Sequence, residues 1–66
     1  MAVAKIIEIS SASSESFEDA VRQGVAKASQ TVRDIKGAWV SQQTVKVEGG
    51  EIVEFRTDLK ISFVLE

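Results

Sequence analysis

The strict alternation of residue types near the end of the chain is the feature that most constrains the fold. The apolar side of this pattern consists of Phe55, Thr57, Leu59, Ile61, Phe63 and Leu65, and the polar side consists of Glu54, Arg56, Asp58, Lys60 and Ser62. Successive side chains of a strand point to opposite faces of a sheet. The pattern therefore predicts a strand over Ile52 to Leu65 that packs one face on a helix and leaves a polar face available.

The length of this predicted strand has a consequence for assembly. At about 3.3 Å per residue, Ile52 to Leu65 extends about 45 Å, whereas a compact chain of this size has a radius of gyration of about 11 Å. The strand must bend around the helix or extend onto a neighbouring molecule. Exposed strand surface of this kind recruits a partner, so we expect an oligomer.

The composition favours the same conclusion. A chain of 66 residues buries only about 60% of the surface that its unfolded form exposes, and small domains compensate with disulfides, a structural metal or oligomerisation. The sequence contains no Cys and no His, so the chain forms no disulfide and no zinc site with thiolate or imidazole ligands. We expect residues 1–66 to form a single domain without a bound structural metal.

The same absences exclude several kinds of chemistry. Without His and Cys there is no Ser-His-Asp triad, no Cys-His pair and no thiol redox centre. A net charge of −2 disfavours a nucleic-acid-binding protein, which would carry a basic patch. No apolar run approaches the ~20 residues that span a membrane, and the N-terminus does not resemble a signal peptide. We therefore expect a cytoplasmic protein without nucleic-acid or membrane partners.

The first half of the chain predicts a strand followed by a helix. Val3 to Ile9 is rich in Val and Ile, and Ser10 to Ser14 is typical of a turn. Apolar residues then recur at helical spacing from about Ser14 to Arg33, with Ser13 or Ser14 as the expected N-cap. The apolar stripe of this helix consists of Phe17, Ala20, Val21, Gly24, Ala28 and Val32.

Gly24 interrupts that stripe and costs ~1 kcal/mol relative to Ala in a helix. Two interpretations are open: close packing of the sheet against Gly24, or a glycine that a loosely packed helix tolerates. On the opposite side of the helix, Glu18 and Arg22 are spaced for an i,i+4 ion pair.

The second half of the chain predicts a β-hairpin. After a connector at Asp34 to Gly37, the strands Ala38 to Val47 and Ile52 to Leu65 flank a Gly49-Gly50 pair, which is a strong hairpin signal. The predicted fold class is α+β, in the order β-α-β-β, with a three-stranded antiparallel sheet partly wrapped around one helix.

Trp39 and Arg56 are the two residues most suggestive of a binding site. Trp usually lies in a core, but strand alternation places Trp39 with the polar residues Ser41 and Gln43, which favours stacking on a planar ligand or partner. Arg56 lies on the polar side of the last strand, where such a residue is most often a surface charge paired with Glu54 or Asp58.

In its order of motifs, the whole chain resembles the dodecins, small flavin-binding proteins. The similarity runs from about Val3 to Glu66. Its most specific parts are Ala28-Ser29-Gln30-Thr31-Val32-Arg33 at the helix end, Ala38-Trp39-Val40 at the hairpin entrance and Phe63-Val64-Leu65-Glu66 at the terminus.

The resemblance implies a hollow homododecamer that stores, sequesters and photoprotects flavin without catalysing a reaction. Two flavin rings would stack between symmetry-related Trp39 side chains at each two-fold axis, which leaves no ring face for a substrate and disfavours an enzyme. The implied ligand is FMN, riboflavin or FAD, with coenzyme A as a further candidate. The implied flavin-binding residues are Ala38, Trp39, Val40, Gln43 and Arg56.

Arg56 departs from the flavin-binding pattern, in which Gln usually follows the aromatic residue of the last strand. Gln offers a donor and an acceptor, whereas Arg offers donors only, so the flavin N3–H would need another acceptor. A guanidinium would instead suit a phosphate or a reduced, anionic flavin. Arg here also resembles family members that bind calcium without flavin, although those lack the Trp. The alternative is therefore a structural shell that binds calcium or another small ligand.

Overall fold

The computed structural model describes residues 3–65, which form one helix and three strands in the order β-α-β-β. The elements are β1 (Val3–Ser13), α1 (Phe17–Ala28), β2 (Ile35–Glu48) and β3 (Glu51–Leu65). The sheet is antiparallel with the strand order β1-β3-β2, so the long last strand is central and the other two are edges. This arrangement confirms the predicted fold class.

Strand β1 continues through the serine-rich segment that the sequence predicts as a turn. Its pairing with β3 extends as far as Ser13, which lies opposite Phe55. The prediction of a turn at Ser10 to Ser14 is therefore wrong, because the long β3 offers ladder hydrogen bonds that outweigh the weak strand preference of serine.

Helix α1 begins later than predicted because β1 occupies the residues that were expected to cap it. The N-cap is Ser16, whose Oγ accepts a hydrogen bond from the Asp19 N–H at 2.9 Å. The predicted caps, Ser13 and Ser14, are wrong. Ser13 instead holds the turn into the helix: its Oγ accepts from the Glu15 N–H at 2.9 Å and donates to Asp19 Oδ2 at 2.6 Å.

The helix also ends earlier than predicted, at Ala28 and not at Arg33. A short turn follows, in which the Thr31 N–H donates to the Ala28 carbonyl at 3.1 Å. Asp34 then adopts a left-handed backbone with φ of 60°, and β2 begins at the next residue, Ile35. The predicted connector at Asp34 to Gly37 is therefore reduced to its first residue.

The core lies between the helix and the central strand. The buried residues of this layer are Ala20, Gly24 and Ala28 from α1 and Thr57, Leu59 and Ile61 from β3. They come from the predicted apolar stripe of the helix and the predicted apolar side of the last strand. Both amphipathic patterns are confirmed where the two elements meet.

Gly24 allows the helix to approach the sheet closely. A Cβ atom at this position would lie 3.0 Å from Leu59 Cδ1 and 3.0 Å from Ser11 Cβ, closer than nearly all real contacts of this kind. Of the two interpretations of Gly24, close packing of the sheet is the one that the structure supports.

The hairpin between β2 and β3 turns at Gly49 and Gly50, as predicted. Both residues have positive φ angles, 60° and 81°. These angles are typical of the two-residue turns that match the right-handed twist of paired strands. The turn residues therefore fix the register of the long hairpin.

The hairpin extends well beyond the helix. The described residues span 52 × 19 × 14 Å with a radius of gyration of 13.6 Å, larger than the value of about 11 Å for a compact chain of this size. Helix α1 packs mainly against β1 and β3. The helix therefore leaves part of the length of the long strands uncovered. Within residues 3–65, no helix is long and apolar enough to cross a membrane.

Candidate functional site

Trp39 lies on the sheet face opposite the helix. It pairs with Lys60 across the β2–β3 ladder, and directly opposed residues share a face. Lys60 alternates with the buried Leu59 and Ile61, which point to the helix. We call the other side of the sheet, which carries Trp39, Glu54, Arg56, Asp58 and Lys60, the open face. Trp39 keeps 46% of its surface exposed, so it is not a core residue.

A β-bulge sets which residues accompany Trp39. The register shifts between Val40, which lies opposite Leu59, and Gln42, which lies opposite Asp58, so Ser41 is the extra residue. The Ser41 hydroxyl donates to the Asp58 carbonyl at 3.2 Å. Simple alternation therefore fails at the bulge, and the prediction that Trp39 shares a face with Gln43 is wrong.

The bulge places Gln42 and Thr44 on the open face and Gln43 on the other. Gln42 lies opposite Asp58, and Thr44 lies opposite Arg56. Gln43 lies opposite Thr57, which is fully buried against the helix. An amide is available to a ligand on the open face, but it belongs to Gln42.

Arg56 is the second predicted binding residue on the open face. Its Nη2 donates to Glu54 Oε2 at 2.9 Å, and the two side chains retain 53% and 32% of their exposure. The sequence prediction of a pair with Glu54 or Asp58 is thus resolved in favour of Glu54. Along the open face, the cross-strand pair of Gln42 and Asp58 lies between the pair that contains Trp39 and the pair that contains Arg56.

The charges of the open face alternate along the central strand. Glu54, Arg56, Asp58 and Lys60 follow one another on β3, so the strip presents two carboxylates and two cations with no net charge. Glu8 of β1 lies opposite Lys60 on the other side from Trp39. The open face therefore offers one aromatic surface beside a mixed row of donors and acceptors.

The remaining predicted contacts, Ala38 and Val40, lie on the helix side of the sheet. They pair with Ile61 and Leu59, which belong to the core. Together with Gln43, they are therefore separated from the Trp39 ring by the thickness of the sheet. The structure brings Trp39 and Arg56 to one face and does not bring these three side chains to it.

Sequence reasoning named Glu54 as a partner of Arg56 and placed Lys60 on the same side of the strand, but it missed Gln42 and Thr44 as neighbours of the candidate site. Alternation along β3 already places Glu54 and Lys60 with Arg56, so that signal was available. Gln42 and Thr44 depend on the bulge, which no residue pattern marks. Only the observed pairing register of β2 with β3 places Gln42 and Thr44 on the open face.

A second concave region lies on the helix side of the described residues. A groove of about 560 Å³ lies between β1 and the second half of α1. The residues lining it are Ile9, Ser10, Ser11, Gln23, Gly24, Lys27, Ala28 and Thr31. The groove is remote from Trp39 in the sheet order, because β3 separates β1 from β2. Among residues 3–65, no group of three or more acidic side chains is arranged to hold a metal ion.

Comparison with known proteins identifies relatives over almost the whole chain. The family model described as Dodecin matches residues 3–66. The calcium dodecin of Mycobacterium tuberculosis is 35% identical over 63 residues, which cover 96% of this chain and 89% of that protein.

Solved structures agree with this result. The dodecin of Streptomyces coelicolor matches with a TM-score of 0.94 at 31% identity, over 98% of this chain and 93% of that one. The crystal structure of the calcium-chelating calcium dodecin from Mycobacterium tuberculosis, which has a novel calcium-binding site, matches with a TM-score of 0.84 at 35% identity. That match covers 97% of this chain and 91% of the other.

Proposed function

Because this chain belongs to the dodecin family, we propose that it is a non-catalytic flavin-binding protein that stores, sequesters and photoprotects FMN or riboflavin. In this proposal, copies of the chain assemble into a homododecamer, and Trp39 stacks on the flavin ring where two copies meet at a two-fold axis. Arg56 contributes hydrogen-bond donors from the same face.

The exposed indole of Trp39 carries this proposal. A Trp side chain that keeps 46% of its surface exposed on a polar sheet face leaves a large apolar area in contact with water. Stacking on a planar ring removes that area from water, and stacking of an aromatic residue on a nucleic-acid base, a comparable contact, is worth about 1–3 kcal/mol. The position of Trp39 thus fits a planar aromatic ligand.

The exposed apolar residues of the three strands support an assembly of several copies. Large hydrophobic residues exposed by the single chain are Val3, Ile6, Trp39, Val40, Val45, Val47, Ile52, Val53 and Leu65. Such a concentration is typical of interaction surfaces. In a homododecamer, neighbouring copies cover part of this apolar surface and close the open face over the ligand.

The proposed roles follow from the chemistry of each group. A bound flavin absorbs light and exchanges electrons, and the indole of Trp39 in contact with it is the group that quenches the excited ring. The guanidinium of Arg56 suits a phosphate, which favours FMN over riboflavin. Coenzyme A, which also carries phosphates, is a further candidate ligand.

A calcium-binding shell is the second candidate, and the similarity to the calcium dodecin of Mycobacterium tuberculosis favours it. Calcium takes six to eight oxygen ligands. In this alternative, carboxylates of the open face, such as Asp58 and Glu8, combine with those of neighbouring copies around a symmetry axis. Trp39 then has no role in binding.

Titration of FMN with the purified, flavin-stripped protein tests the proposal. We expect quenching of flavin fluorescence that saturates near one flavin per chain, because each two-fold site would hold two rings. Trp39→Ala should weaken flavin binding, and Trp39→Phe should weaken it less, since a smaller ring still stacks. Arg22→Ala, which truncates an exposed side chain on α1, away from the open face, is the control.

Calorimetric titration of a metal-free sample with calcium separates the second candidate from the first. Tight calcium binding together with unchanged flavin fluorescence at micromolar protein would replace the flavin proposal with the calcium-binding shell. Quenching that is identical in the wild type and Trp39→Ala would remove Trp39 from the site.

A further inference from the structure

The groove between β1 and the second half of α1 lies on the side of the sheet that does not carry Trp39. Its strand wall includes Ser11, which pairs with Thr57, a residue buried beneath the helix. Directly opposed residues share a face, so Ser11 also faces the helix. The volume of about 560 Å³ falls within the range of about 300–1,000 Å³ that ligand pockets occupy. The groove is therefore a candidate site that the proposed function does not use.

Small and apolar residues form the floor of the groove. Gly24 and Ala28 lie one helical turn apart on α1, and both are buried. Neither has a side chain beyond Cβ that would fill the groove. Ile9 adds an apolar side chain from the strand. A floor of this kind is typical of a pocket that holds the carbon skeleton of a small molecule.

A chain of hydrogen bonds holds the amide of Gln23 at the rim of the groove. Gln23 Nε2 donates to Asp19 Oδ2 at 2.5 Å, and Ser13 Oγ donates to the same carboxylate oxygen at 2.6 Å. Ser13 is only 6% exposed, so the chain is anchored in buried structure. A carboxamide has two N–H donors and one carbonyl acceptor. The bond to Asp19 therefore leaves Gln23 with one donor and the acceptor for a ligand.

Lys27 gives the rim a positive charge. The ion pairs formed among residues 3–65 use Arg22, Lys46 and Arg56, and none of them uses Lys27. Lys27 lies one helical turn after Gln23, which is about 6 Å along the helix axis. An ammonium group is a common partner of phosphate in proteins. The rim thus presents a cation and an amide at a spacing that one small molecule can span.

We propose that this groove binds a sugar phosphate, with the phosphate at Lys27 and the sugar hydroxyls at Gln23 and Ser11. An amide and a hydroxyl together donate and accept, as sugar hydroxyls do. The carboxylate of Asp19 lies on the far side of Gln23 from Lys27, and it repels an anion. This charge arrangement orients the ligand along the helix. The inference goes beyond the proposed function, because both the ligand and the residues differ from those of the flavin site.

Calorimetric titration of the flavin-stripped protein with glucose 6-phosphate, glucose and inorganic phosphate tests the proposal. We expect saturable binding of glucose 6-phosphate. Glucose lacks the charged contact and should bind about 10- to 100-fold more weakly, the range for one hydrogen bond to a charged group. Inorganic phosphate lacks the contacts to Gln23 and Ser11 and should also bind at least about 10-fold more weakly.

Variants of the exposed rim residues assign the two ends of the ligand. Lys27→Gln should weaken the binding of glucose 6-phosphate about 10- to 100-fold and leave that of glucose unchanged, whereas Lys27→Arg should retain most of the affinity. Gln23→Leu should weaken the binding of both sugars about 2- to 10-fold, the range for a neutral hydrogen bond. The control is Lys46→Gln, which removes an exposed lysine of β2, a strand that β3 separates from β1.

Quenching of FMN fluorescence separates this inference from the proposed function. Lys27→Gln should quench as the wild type does, because Trp39 lies on the other face of the sheet. The groove site is overturned, and the flavin proposal stands, if glucose 6-phosphate does not bind or binds equally well to wild type and Lys27→Gln. Equal affinity for inorganic phosphate and glucose 6-phosphate would also overturn it, since an anion alone would then explain the binding. Binding of glucose 6-phosphate without quenching of FMN would overturn the proposed function alone.

Discussion

The two faces of the sheet differ in how far the chain completes them by itself. On the helix side, Leu59 and Ile61 of the central strand are 1% and 0% exposed beneath α1. On the open face, Trp39 remains 46% exposed, and no helix covers it within the described residues. The first face is explained by the folding of a single chain, whereas the proposed function assigns to the second face a ligand and another copy of the chain. The following predictions test this division.

Truncation of the helix-side core should have the largest effect. Leu59→Ala removes a fully buried side chain and should lower the free energy of unfolding by about 2–5 kcal/mol, because it loses burial and leaves a cavity. Denaturant unfolding at a fixed protein concentration measures this loss. Leu65→Ala, at a residue that is 45% exposed, is the control and should cost much less. Equal losses would show that assembly buries the end of β3 as thoroughly as its centre.

Truncation on the open face should affect binding more than folding. Trp39→Ala should weaken flavin binding by about 1–3 kcal/mol, the range for aromatic stacking on a base, as measured by fluorescence titration. Its unfolding transition without flavin should stay within about 0.5 kcal/mol of the wild type, the usual range for surface substitutions. A large loss of stability in the flavin-free protein would instead make Trp39 a structural residue.

Filling the close contact at Gly24 should destabilise the protein despite the better helix propensity of Ala. Gly24→Ala gains about 1 kcal/mol in the helix but pushes a Cβ to 3.0 Å from Leu59 Cδ1 and Ser11 Cβ, and overpacking costs about 1–3 kcal/mol. We expect a net loss of about 1 kcal/mol. Gly37→Ala, whose Cβ would meet Ser62 Oγ at 3.4 Å, is the control. A stabilised Gly24→Ala variant would contradict the close-packing interpretation.

An effect of similar size and opposite sign is expected at Thr57, a polar residue within the helix-side core. Its side chain is 0% exposed, and its hydroxyl has no hydrogen-bond partner within residues 3–65. Thr57→Val keeps the shape and removes the unpaired oxygen, so it should stabilise the fold by about 1 kcal/mol in thermal unfolding. Destabilisation would indicate that a neighbouring copy provides the partner of the hydroxyl.

The sequence predicted the helix-side face well because both of its patterns are local and periodic. Alternation along β3 and the apolar stripe of α1 each depend on the geometry of one element, and Gly49 and Gly50 mark the turn by their conformational freedom. The ends of the elements were predicted less well. Ser13, Ser14 and Ser16 are equivalent as caps by residue type, and only the pairing of β1 with β3 leaves Ser16 as the N-cap.

The candidate site was predicted only in part because it depends on register. Trp39 and Arg56 stand out by residue type, and both lie on the open face. Gln43 was placed beside Trp39 by alternation, but the extra residue Ser41 reverses the alternation between them. A bulge arises from hydrogen bonding across strands that are far apart in sequence, so a local pattern does not reveal it.

The sequence by itself determined the fold class and the amphipathic faces, because periodicity and turn residues act locally along the chain. The tertiary structure alone decided where β1 stops, which serine caps the helix, which side chains join Trp39 and that Glu54 binds Arg56. Each of these depends on the pairing of β3 with its two neighbours. Pairing is a property of segments that are distant along the chain, and its energy is shared among all the residues of the ladder.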